Sequence, residues 1–166
     1  DDTGNFPNSF GVRSQSILTV KQDYTFTGDG RIVLSGEQNE LGDGARIQGA
    51  AGADLVNGTQ HTIIGNGAIS GFSSIDNQGV IIAQGGKLSV ATYDTLVNNG
   101  ELKAENNGIL NITSAWTNNG KVEAIGTGTV LNQAQLGAGP VNLSNLSTST
   151  DAITLTGGQW QASNGG

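Results

Sequence analysis

The chain contains no cysteine and no methionine, a single histidine, and only 5% aromatic residues in a length of 166. Without cysteine there is neither a disulfide framework nor a thiol nucleophile, and a lone histidine leaves no zinc site. Charge is sparse too. Charged residues make up 13% of the chain, against roughly 25% in an average soluble domain. The seven Lys and Arg are scattered and the formal net charge is −7. Nucleic acid, which needs a basic stripe, is therefore not an expected partner, and neither is an anionic membrane surface. No apolar run approaches the roughly 20 residues that cross a bilayer as a helix, so no membrane insertion is expected. Strong helix formers never run together, and no long helix is expected. The opening Asp1-Asp2-Thr3-Gly4 has no signal-peptide character, and a mature secreted chain would have lost such a segment. A chain free of Cys and Met suits an oxidising exterior.

What the chain has in quantity is glycine, 27 residues, with Asn, Thr and Ser filling most other polar positions. Gly-rich polar sequences often stay disordered because they bury too little apolar surface. Here Val, Ile, Leu and Ala recur in short regular groups, and such patterning has a purpose only if the groups pack. The length is sufficient for one domain with a sizeable core.

A repeat organises those groups. Asn77-Gln78-Gly79-Val80-Ile81-Ile82-Ala83, Asn98-Asn99-Gly100-Glu101-Leu102-Lys103-Ala104 and Asn118-Asn119-Gly120-Lys121-Val122-Glu123-Ala124 align on a shared Asn-x-Gly, with the glycines 21 and then 20 residues apart. A second glycine follows each, Gly86, Gly108 and Gly128, and then Leu88, Leu110 or Val130. Ile75, Leu96 and Trp116 precede each Asn by two. Self-similarity at this period indicates a repeat architecture. Within a repeat, Leu102 and Ala104 alternate with Glu101, Lys103 and Glu105, the period-two signature of a half-buried strand. Asn-Gly is also a hairpin signal, but a hairpin meander gives no reason for the same residue types to return every 20 positions. A coil that closes above itself does. Stacking would place Glu101 beside Lys121 and Lys103 beside Glu123, opposite charges contributing ~0.2–1 kcal/mol per pair.

The reading is an all-β right-handed parallel β-helix, a β-solenoid of about 20–23 residues per coil in six or seven coils. Residues 1–16 lack periodicity and read as an N-terminal cap, arm or linker; residues 17–166 read as the solenoid. Leu41 to Gly49 matches Ile64 to Gly71 at a separation of 23, Thr25 to Leu34 reads as an earlier coil, and Ile153 to Trp160 as the last. The Asn column at 77, 98 and 118 falls at a corner, where stacked amides can bond from coil to coil.

Gly28 to Gly36, His61 to Gly71, Asp76 to Ala83 and Asn98 to Ala104 resemble repeats of large bacterial surface exoproteins, among them autotransporter passenger domains and filamentous-haemagglutinin-like adhesins. The resemblance covers residues 24–166. It implies secretion to the cell surface and a role in adhesion, biofilm or a surface fibre, with a surface glycan or a receptor on a host or neighbouring cell as partner. Thr156 to Gly166 reads like the middle of such an array, which implies a longer chain or an end covered by another copy; self-association through the solenoid ends follows as an expectation.

Catalytic, metal and cofactor sites are not expected. A triad would have to use His61, with Asp54 or Asp76 as its partner, but no nucleophile elbow accompanies them and a corner histidine reads as a surface residue. Asp29, Glu40 and Asp43 lie near Gly-rich turns, yet the calcium-binding nonapeptide is absent. Polysaccharide lyases and hydrolases, the enzymatic alternative, need acids clustered on one face; here the aligned charges neutralise one another. For sugar binding without catalysis, Tyr24, Tyr93, Trp116 and Trp160 are the candidate platforms, although Trp116 aligns with core positions. The sequons at Asn57, Asn111, Asn142 and Asn145 are matches expected by chance in such a composition.

Overall fold

In the computed structural model, which describes residues 16–36, 44–127, 129–132, 141–142 and 159–163, every regular element is a β-strand. The strands stack as a parallel β-solenoid with three faces. Ile17–Val20 (β1), Tyr24–Phe26 (β2) and Arg31–Ser35 (β3) form the first level. Arg46–Gly49 (β4), Leu55–Asn57 (β5) and the start of Thr62–Asn77 (β6) lie over them in parallel register. β6 runs on into the third level, which Val80–Asn98 (β7) completes before entering the fourth with Glu101–Glu105 (β8). Ile109–Ile112 (β9), Ala115–Asn118 (β10) and Lys121–Ile125 (β11) make the fifth. Above it, Thr129–Asn132 (β12) pairs with β9, and two residues, Val141–Asn142 (β13), pair antiparallel with β12. Gln159–Ser163 (β14) pairs with β11.

The register confirms the repeat where it was read most clearly. Leu102 pairs with Val122 and Ile81 with Leu102 on the third face; Ile75, Leu96 and Trp116 stack on the second; Leu88, Leu110 and Val130 align on the first. Among the described residues the second face carries five levels, about four turns, slightly fewer than the six or seven coils expected of the whole chain. One alignment shifts. Ile47 pairs with Ile69, one residue closer than the separation of 23, because that alignment would set Ile47 opposite Ser70 and send an apolar side chain to the solvent face. Of the expected last coil only its end is seen, in β14. Residues 153–158, Glu40, Asp43, Gly128 and all of the expected N-terminal cap except Ser16 lie outside the described residues.

The core is a narrow aliphatic column. Ile63, Ile81, Leu102 and Val122 from the third face meet Ile47, Ile69, Val90 and Ile112 from the first and Leu55, Ile75 and Leu96 from the second, all fully or almost fully buried. Each contributes ~1.5–3 kcal/mol by leaving water. Among the described residues Phe72 is the one aromatic ring wholly inside, and it fits because Gly49 has no side chain: a Cβ there would lie 2.5 Å from the ring.

Candidate functional site

The most ordered polar feature lies where the second face turns into the third. Asn57, Asn77, Asn98 and Asn118 occupy one slot at successive levels and are buried, with exposures of 0 to 3%. Asn57 Nδ2 donates to Asn77 Oδ1 at 2.8 Å, Asn77 Nδ2 to Asn98 Oδ1 at 2.7 Å, and Asn98 Nδ2 to Asn118 Oδ1 at 2.7 Å. The second N–H of each amide donates to a carbonyl of the following level: Val80 O at 3.3 Å, Glu101 O at 3.1 Å and Lys121 O at 3.1 Å. Their backbone carbonyls are used as well. Asn77 O accepts from the N–H groups of Asn99 and Gly100, and Asn98 O from those of Asn119 and Gly120. The ladder therefore has a direction, set by those carbonyls. Its donor end is Asn118 Nδ2, which has no hydrogen-bond partner among the described residues.

At the acceptor end stands His61. Its Nδ1 lies 2.7 Å from Asn57 Oδ1, and its ring stacks on Phe26 with centroids 5.0 Å apart and planes 18° apart. Asn57 spends its N–H groups elsewhere, so Nδ1 must be the donor and the tautomer is fixed. The side chain is buried, which corrects the expectation of a surface residue and holds its pKa below the usual 6.5. Neither proposed carboxylate partner is engaged with it. Asp54 Oδ1 accepts from Ser74 N, and Asp76 accepts from Gln78 and Asn99.

Glycines make the close stacking of this corner feasible. A Cβ at Gly100 would sit 2.1 Å from Gly79 O, and one at Gly120 2.1 Å from Gly100 O. Outside the buried ladder runs an exposed one. Asn119 Nδ2 donates to Asn99 Oδ1 at 3.0 Å, and Asn99 Nδ2 to Asp76 Oδ1 at 2.8 Å.

The charged columns of the third face stack as expected, Glu101 with Lys121 and Lys103 with Glu123. Their ion pairs run partly along the strands instead of across them. Lys121 reaches Glu101 at 3.4 Å across the levels but Glu123 at 2.8 Å on its own strand, and Lys103 binds Glu105 at 2.7 Å. The Lys121 hydrogen bond lowers the pKa of Glu123 and raises that of Lys121. Glu123 is also buried, although it belongs to the outer face.

The other candidates do not converge. Tyr24 sits in the first level, edge-on to Phe26 at 5.2 Å, and Tyr93 projects, 74% exposed, from the fourth level. At ~4.8 Å per level the two strands that carry them are about 14 Å apart along the axis. Trp116 packs against the core, and Trp160 pairs with Val122. Asp29 is exposed on its turn, and among the described residues no three His, Asp or Glu side chains are grouped to share a metal ion. The sequon residues Asn57 and Asn111 are buried. Among the described residues no helix is long and apolar enough to cross a membrane.

Two residues of the ladder escaped the sequence reading, Asn57 and His61. Thr62 pairs with Val80, so His61 stands in the slot that Gly79 fills one level on. The corner between Asn57 and that slot is two residues longer than the later ones, through Thr59 and Gln60, which broke the Asn-x-Gly pattern. The signal that could have found them is the 20-residue separation of Asn57 from Asn77. No family model matches the chain, and no curated protein or solved structure matches it either.

Proposed function

We propose that this chain is a structural and adhesive module of an extracellular β-solenoid, part of a bacterial surface protein or fibre, and not an enzyme. The observation that carries the reading is where the buried polar groups are spent. The Asn57–Asn77–Asn98–Asn118 amides bond to one another and to backbone along the axis, which makes them a register device and leaves them no part in proton transfer. The outward charges likewise neutralise one another on the third face. Such a body offers a stiff, weakly charged surface repeated at every level, suited to contact with a glycan or a neighbouring cell. Its end strands offer edges on which a second copy can stack.

Display of the chain on a non-adherent bacterium tests the adhesive role. Cells carrying it should clump or attach to surfaces more than cells carrying the anchor alone, and equal attachment would overturn the reading. Electron microscopy of the purified chain tests stacking, since filaments are expected and persistent monomers count against it. Release of sugar ends from a polysaccharide panel would favour a carbohydrate-degrading domain instead.

A further inference from the structure

His61 joins the first level to the second. Its ring lies on Phe26 of β2, Gly30 lies beside it, where a Cβ would make only ordinary contact at 3.7 Å with ring carbon Cδ2, and its Nδ1–H heads the amide ladder at Asn57. With Nδ1 committed as a donor, Nε2 is the remaining basic atom. Among the described residues no carboxylate forms an ion pair with the ring. Asp29 and Arg31 flank Gly30 and are exposed, Tyr24 packs edge-on against Phe26, Asp54 accepts from Ser74 N, and Asp76 is taken by Gln78 and Asn99.

We propose that His61 makes the first level of the solenoid acid-sensitive: protonation at Nε2 puts an unbalanced charge between Phe26 and the head of the ladder, and residues 17–35 separate from the second level while later levels stay folded. Separation bares Leu55 and Ile63 and the edges of β5 and β6, an apolar surface with unpaired strands. The direction in pH follows from linkage. Burial holds the closed-state pKa below 6.5, so the stability gained by keeping the ring neutral is complete above that value. It is lost progressively as pH falls from about 6.5 towards the lowered pKa.

Hydrogen exchange followed from about pH 7.5 to about pH 5 tests this. Protection factors in β2 and β3 should fall by up to about tenfold per pH unit below 6.5, while those in β8 stay level. His61→Gln keeps a donor for Asn57 but cannot titrate, and its β2 and β3 protection should be flat over the same range. A wild-type profile without the fall, or a fall that persists in H61Q, overturns the proposal. If H61Q fails to fold, an NMR titration of the wild-type imidazole decides. A pKa below 6.5 with the proton on Nδ1 supports the proposal, and a value at or above 6.5 overturns it.

Discussion

The first level and the middle of the solenoid solve the same stacking problem by different means. From the second level to the fifth the ladder slot is filled by asparagine, levels are 20 or 21 residues apart, and the Asn77 and Asn98 amides each bond both above and below. In the first level the slot holds Phe26, which pairs with Asn57, and the separation from the second level stretches to 31 residues. Apolar residues that face inward in later levels are partly open here: Leu18 is 44% exposed and Tyr24 52%. Beyond the backbone pairing common to both regions, the middle is held in register by the amide ladder, and the first level by ring stacking, His61 and the bonds of Asp23 to Asp54 N and of Asn66 to Gly36 N. Hydrogen bonds specify register more sharply than ring contacts do, because a slip of one residue leaves a buried amide unsatisfied.

Replacing the ladder residue in each region should give the largest contrast. Asn98→Leu strands the N–H of Asn77 and the Oδ1 of Asn118 in the interior and should cost ~3 kcal/mol or more, at ~1–3 kcal/mol for each unsatisfied group. Phe26→Leu in the equivalent slot should cost only ~1 kcal/mol. Denaturant unfolding measures both, and equal losses would erase the distinction. Glycines come next. Gly100→Ala drives a methyl into Gly79 O and should cost ~3 kcal/mol. Gly28→Ala meets nothing within 4 Å and pays only for its φ of +81°, ~1 kcal/mol.

Acid should act on the two regions in separate windows. The folded pKa of Glu123 lies below its ordinary 4.5, so its contribution is present above that value and disappears as pH falls through the lowered pKa. Glu123→Gln should flatten acid unfolding below about pH 4.5 without touching the response near 6.5 that belongs to His61. The smallest effect concerns the outer column. Glu101→Lys sets like charges opposite each other at Lys121 and should cost ~0.5 kcal/mol, reduced by solvent screening. Arg31→Glu, in the same column but opposite the uncharged Thr62, should shift the thermal midpoint hardly at all.

Much of the middle was legible because its repeat is nearly free of insertions. Asn77, Asn98 and Asn118, the Leu102–Val122 pairing and the stacking of Ile75, Leu96 and Trp116 all followed from spacing. The ladder's beginning was not legible, since Thr59 and Gln60 lengthen one corner and hide the equivalence of His61 with Gly79. Nor did alternation along a strand reveal that Lys103 would choose Glu105 and Glu123 would choose Lys121. Both choices depend on side-chain reach across a twisted surface.

By itself the sequence determined the parallel stacking, the period and the aliphatic column, because a 20-residue return of the same residue types has a use only when equivalent positions lie over one another. The tertiary structure alone decided that the buried amides share one direction, that His61 and Phe26 close one end, and that Gly49 admits Phe72. Those outcomes depend on distances between residues far apart in the chain, and such distances exist only once the coil has closed.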